Sequence, residues 1–277
     1  MWGNHDWPVP ILKSLLPSMT NHPATSSSQA VLILGMHRSG TSCLAGSLQE
    51  AGLYLGEVNI AAPHNAKGNR ENHAIMDLQD DLLRANGGNW DAPPAQVIWK
   101  TEHRAQRDAI IATYPIDRIW GFKDPRTLLT LPGWLEALPS VRFVGTFRHP
   151  LAVAASLHAR NGLALEKCLT LWTIYNRLLL DYHRQFDFPI VCFDWSPERY
   201  RQRLLTITPT LNLIVPTAGF SFFESALRRN EAPRDKMTLN RFFTGLRALL
   251  RVKSDRNGAI LPKSAAMLYR QLQEVAA

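Results

Sequence analysis

The sequence predicts an α/β domain with a central parallel sheet flanked by helices. Three observations carry this. Val31–Leu34 is a continuous apolar run closed by a glycine turn, the signature of a strand buried on both faces. Further short apolar runs, at Arg118–Lys123, Val141–Phe147 and Pro189–Phe193, alternate with stretches of helical periodicity, as successive units of a parallel sheet do. The 277 residues, 45% hydrophobic and 19% charged, suffice for one large domain that buries most of its apolar surface.

Taken in order, residues 1–29 are rich in proline and hydroxyl residues and are expected to form a flexible leader with one short helix at Ile11–Leu16. Residues 30–277 are expected to form a single domain. After the first strand, Thr41 to about Ala51 reads as a helix with Leu44 and Leu48 on one face. Residues 56–69, rich in Gly, Asn and Pro, read as a loop. Glu71–Arg84 reads as a helix because Ile75, Leu78 and Leu82 make one apolar stripe. Asn86–Pro94 is a loop, and Glu102–Thr113 a helix. Helices at Leu151–Ala159 and Leu165–Gln185 follow the third strand. Trp172 and Tyr175 on the second of these are expected to pack the core. From Pro197 the chain reads as helical and irregular.

The formal charge of +8 suits an anionic ligand. Nucleic acid is not indicated, because the basic residues are scattered and no run of five occurs. Cys43, Cys168 and Cys192 are odd in number and lack a Cys-x-x-Cys pair, which gives neither a disulfide framework nor a zinc site. No apolar run reaches membrane-spanning length, and the first residues lack the basic start of a signal peptide. A cytoplasmic location is the expectation that follows.

The first strand runs into Gly35-Met36-His37-Arg38-Ser39-Gly40-Thr41-Ser42. Glycines at this spacing let backbone N–H groups curl around an anion at a helix N-terminus. A Walker A loop needs lysine after the second glycine, and Thr41 stands there. The cation lies inside the loop instead, at Arg38. The third strand ends in Phe147-Arg148, so no Walker B aspartate is evident. Together these weaken Mg-dependent phosphoryl transfer. A bare glycine-threonine cap that binds nothing is the bland alternative.

A second constellation follows the third strand: Arg148-His149-Pro150, then Ser156 and Arg160. Arg148 sits at a strand's C-terminal end, where open α/β sheets place ligands. Ser156 and Arg160, four apart, share one helix face. Two guanidiniums and a hydroxyl can converge on one phosphate. Arg160 alone reads equally well as a solvated surface residue.

His37-Arg38-Ser39-Gly40-Thr41-Ser42 resembles the 5′-phosphosulfate loop of sulfotransferases that use 3′-phosphoadenosine 5′-phosphosulfate (PAPS), and the variant with Arg is similar to the tyrosylprotein and carbohydrate branches. Arg148, Ser156 and Arg160 are similar to that family's 3′-phosphate site. Trp120-Gly121-Phe122-Lys123-Asp124-Pro125-Arg126-Thr127 resembles its Lys-Asp-Pro segment. The resemblance covers residues 31–195 and implies a three-layer, P-loop-NTPase-like fold. It implies metal-independent, in-line sulfuryl transfer to a hydroxyl or amine of a small-molecule, carbohydrate or peptide acceptor, with PAP as product.

By the same resemblance, Ser39, Gly40, Thr41 and Ser42 hold the nucleotide with Arg38, while Arg38 and Lys123 stabilise the leaving phosphate. A plain Asp124–Arg126 turn is the bland reading of that segment. The cytosolic branch carries a histidine close after the lysine, and none stands here. Glu71 is then the candidate base, with His37, His64, His73 and Asp124 as competitors and an ordinary helix-start glutamate as the bland reading. Basic stretches at Arg228–Arg229, Arg247–Lys253 and Lys253–Gly258 match the family's closing segment poorly and read as solvated surface. The rival readings are a kinase or other NTPase with a degenerate loop, and a PAP- or polyanion-binding module without turnover.

Overall fold

A computed structural model describes residues 29–61, 67–223 and 261–277. The leader up to residue 28, its helix at Ile11–Leu16, His64 and the basic stretches between Arg228 and Gly258 lie outside the described residues.

The elements are β1 (Ala30–Leu34), α1 (Thr41–Glu50), α2 (His73–Ala85), α3 (Thr101–Ile111), β2 (Trp120–Lys123), α4 (Thr127–Leu135), β3 (Val141–Phe147), α5 (Pro150–Asn161), α6 (Leu165–Phe186), β4 (Ile190–Cys192), α7 (Pro197–Thr210) and α8 (Lys263–Ala276). The strands form one parallel sheet in the order β2-β1-β3-β4. Because β1 is flanked on one side by β2 and on the other by β3, the strand order reverses beside it, and loops after both strands open a crevice there. Ile33 pairs with Lys123, Leu34 with Gly145, and Phe147 with Cys192, so all four C-terminal ends reach the same edge.

Side-chain alternation builds two cores, one on each face of the sheet. Ala30, Leu32 and Leu34 of β1 join Phe143, Phe147, Ile190 and Cys192 in one cluster, which α2, α4, α5, α6 and α8 cover. Val31 and Ile33 face the other way, with Val144 and Val191, against α1 and α7. Trp172 and Tyr175 are fully buried in the first cluster, as their place on α6 leads one to expect.

Two elements depart from the sequence reading. Glu71 does not begin α2. Asn72 is the N-cap, its Oδ1 accepting from the backbone N of Ala74 at 3.0 Å and Ile75 at 3.3 Å. Glu71 therefore stands in the incoming strand-like segment, its carbonyl accepting from Asn59 N. Helix α4 was not expected, since Pro132 and Gly133 interrupt its sequence. It forms because Gly133 lets the helix close on Trp99, while Gln79 bonds both Thr127 and Thr130 from α2. A Cβ on Gly133 would lie 2.2 Å from the Trp99 ring. Gly133→Ala should cost about 1–3 kcal/mol through overpacking, read as a lower urea midpoint with an unchanged m-value.

Candidate functional site

The chain leaves β1 through a loop with no room for side chains at its glycines. A Cβ on Gly35 would lie 2.5 Å from the Thr146 carbonyl oxygen, and one on Gly40 would lie 2.2 Å from the Phe193 ring. Gly40 also has φ +84°, in the left-handed region. Arg38 has φ +66° without being glycine, a strain of order 1 kcal/mol that the surroundings must hold. Two long-range bonds hold it: Arg38 Nε donates to Ser156 Oγ at 2.8 Å, and Thr146 Oγ1 donates to Ser39 O at 3.1 Å. Gly40 caps α1 with no side-chain hydrogen bond, so the first-turn N–H groups keep their anion-binding character. Behind them, Ser39 Oγ is buried and unbonded. Ser42 Oγ donates to Asn69 O at 2.9 Å and ties this helix end to the segment that carries Glu71.

Lys123 is the last residue of β2 and is 1% exposed. Its Nζ donates to Glu71 Oε1. Burial pushes the lysine's pKa down, and Glu71 opposes the shift. The Asp124–Arg126 pair forms as well. Arg126 Nη1 meets both Asp124 oxygens, at 3.1 and 2.9 Å, while its Nε and Nη2 meet Asp80 at 2.6 and 3.1 Å. Burial pushes the Asp124 carboxyl up, and Arg126 works against it. The Asp124–Arg126 turn of the bland reading is therefore present, directly after Lys123.

Arg148 follows β3 and is 3% exposed. Its Nε donates to Asp194 Oδ1 at 3.2 Å, the neighbouring His149 N donates to Asp194 Oδ2 at 2.6 Å, and its carbonyl accepts from Trp172 Nε1 at 2.9 Å. The guanidinium lies 5.4 Å from the Phe193 ring centroid. Asp194 and Phe193 were not foreseen. The available signal was their position just past β4, at the edge where the loop after β1, Lys123 and Arg148 leave the sheet.

Arg38, Gly40, Thr41, Ser42, Glu71, Lys123, Arg148 and Arg160 all line one cleft at this edge. Ser39 and Ser156 are buried behind it. The two phosphate motifs, which the sequence suggests as separate sites, touch through the Arg38–Ser156 bond. Among the competitors for the base, His73 is bonded to Asn59 Oδ1 at 2.6 Å and Asp124 is locked to Arg126. His37 does line the cleft, 4.7 Å from the Trp90 ring and 6.1 Å from that of Tyr175.

Burial, then the charges of Arg126, Lys123, Arg160 and Arg38, push the His37 pKa well below its ordinary value. The unfolded chain takes up this proton below about pH 6.5 and the folded chain does not, so His37 withdraws stability as pH falls through that window. His37→Gln should narrow its stability gap with the wild type by up to about 1.4 kcal/mol for each pH unit below 6.5, measured by urea titration at pH 7.5 and 5.5.

No family model and no curated protein matches the chain. Solved structures similar to it include two sulfotransferases. The sulfotransferase domain of the Synechococcus PCC 7002 olefin synthase has 18% identity and a TM-score of 0.48, covering 91% of this chain and 97% of that one. Sulfotransferase STF1 from Mycobacterium tuberculosis H37Rv has 12% identity and a TM-score of 0.37, covering 90% and 77%. No helix among the described residues is long and apolar enough to cross a membrane. The fold is α/β with a central parallel sheet between helical layers.

Proposed function

We propose that the chain is a sulfotransferase that moves a sulfuryl group from PAPS to a hydroxyl. The observation that carries this reading is the meeting of Arg38, Lys123, Arg148 and Arg160 in one cleft, around a phosphate loop without the Walker lysine and with a carboxylate, Glu71, on Lys123. The donors fit a doubly phosphorylated nucleotide. The uncapped start of α1 and Arg38 suit the 5′ end, and Arg148 with Arg160 suits the 3′-phosphate. The buried, unbonded Ser39 Oγ adds a further polar group beside that loop.

When bound, PAPS supplies the sulfuryl group: the acceptor oxygen bonds to sulfur, the S–O bond to the 5′-phosphate breaks, and its electron pair leaves with PAP. Lys123 and Arg38 stabilise the charge that grows on the leaving oxygen. Glu71 accepts the acceptor's proton, which requires Lys123 to exchange its bond to Glu71 for one to the phosphate. Asp194 positions Arg148, Ser156 positions Arg38, and the cleft walls hold the reactants in line.

Glu71→Gln should leave PAP affinity within about threefold, well inside the ~1.4 kcal/mol of a tenfold change, and lower sulfuryl transfer by at least the hundredfold typical of a lost general base. Glu71→Asp, which keeps a carboxylate for Lys123, separates loss of the base from loss of the ion pair. Arg148→Ala should abolish PAP binding. Transfer of labelled sulfuryl at the wild-type rate by Glu71→Gln would place the base elsewhere.

A further inference from the structure

The C-terminal helix α8 packs against α6 and β4. Ala265, Leu268, Leu272 and Ala276 recur at helical spacing and form its buried stripe. Tyr269 stands beside that stripe, and its ring meets three others. Its centroid lies 5.8 Å from that of Phe147, 4.9 Å from that of His149 and 6.3 Å from that of Trp172, at interplanar angles of 67°, 75° and 61°. All three are edge-on contacts, which fix the orientation of the rings as well as their distance. The Tyr269 hydroxyl and the Cys192 thiol are hydrogen-bonded to each other.

What these four neighbours share is Arg148. Phe147 precedes it as the last residue of β3, and His149 follows it as the N-cap of α5. Trp172 Nε1 donates to the Arg148 carbonyl at 2.9 Å. Cys192 ends β4 just before the turn that carries Asp194. The two oxygens of Asp194 accept from Arg148 Nε at 3.2 Å and from His149 N at 2.6 Å. His149 Nδ1 accepts in turn from Leu151 N at 3.3 Å, and so helps to set the start of α5, which carries Ser156 and Arg160.

Tyr269 is not among the described residues that line the cleft. Its contacts are with the residues that bear and hold Arg148. An arginine side chain carries about 2 kcal/mol of rotamer entropy, so a guanidinium that must meet a phosphate in one geometry gains from supports that are themselves locked by packing.

We infer that Tyr269 is a positioning residue for Arg148, through which the C-terminal helix sets the affinity of this cation for a phosphate. The inference rests on the sulfuryl-transfer reading, in which Arg148 meets the 3′-phosphate, and adds the element that aims it.

The test is calorimetric titration of the full chain with PAP and, separately, with adenosine 5′-phosphate, which is PAP without its 3′-phosphate. The ratio of the two affinities reads the 3′-phosphate contact and does not respond to a loosening that weakens both equally. Tyr269→Leu keeps an apolar side chain and leaves the buried stripe of α8 in place. It is expected to weaken PAP by about tenfold or more and adenosine 5′-phosphate by no more than about threefold, while Tyr269→Phe, which keeps the ring, stays within about threefold for both. His149→Asn retains an N-cap acceptor for α5 and removes the ring that Tyr269 meets. It is expected to lower the ratio in the same way, and it decides the matter if Tyr269→Leu does not fold. An unchanged ratio, or an equal loss for both nucleotides, would overturn the positioning role. Wild-type protein that binds PAP no more tightly than adenosine 5′-phosphate would instead overturn the 3′-phosphate reading on which the inference rests.

Discussion

Arg38, Lys123, Arg126, Arg148 and Arg160 converge on one edge of a small parallel sheet, and their mutual repulsion is the constraint that the rest of the site answers. The answer is a set of buried or half-buried counter-groups. Glu71 meets Lys123, Asp124 and Asp80 meet Arg126, Asp194 meets Arg148, and the neutral hydroxyl of Ser156 takes Arg38. Stripping one partner from a buried pair costs about 3–5 kcal/mol, so these carboxylates have a structural role in their own right. Glu71 makes the burial of Lys123 tolerable, and in the proposed reaction it would become available to an acceptor once an anion drew Lys123 away.

The sheet makes such crowding possible. In a parallel sheet every strand delivers its C-terminal residue to the same edge, so Leu34, Lys123, Phe147 and Cys192 hand over to the phosphate loop, the Lys-Asp-Pro turn, Arg148 and Asp194 within one crevice. Helices then fix the details. Trp172 on α6 holds the Arg148 carbonyl, Tyr175 one turn later holds that of Trp90, and Asn72 sets where α2 starts and therefore where Glu71 stands. Residues that look like plain core from their spacing thus aim the functional groups.

Much of this was legible in the sequence because local signals agreed with the global fold. The four strands lie where short apolar runs predict them, and Ile75, Leu78 and Leu82 form the buried stripe of α2. The phosphate loop, Lys123 and Arg148 meet in one cleft as their strand-end positions imply, and Arg160 joins them from the last turn of α5. What was hidden depends on long-range pairing. Helix α4 is masked by Pro132 and Gly133 and rests on the approach of Trp99. Asp194 gains meaning only when β4 lies beside β3. The bond from Arg38 to Ser156, which joins two motifs 118 residues apart, has no local trace. Nor does Trp90, which a polar loop carries into the cleft from outside the sheet edge.

The most direct test of the central claim is calorimetric titration of the chain with PAP, against ADP plus Mg as the comparison. The account predicts tight PAP binding and ADP binding weaker by at least tenfold, because Arg148 and Arg160 meet a 3′-phosphate that ADP lacks and the loop has no Walker lysine. ADP with Mg binding as tightly as PAP would contradict it and point to an NTPase instead.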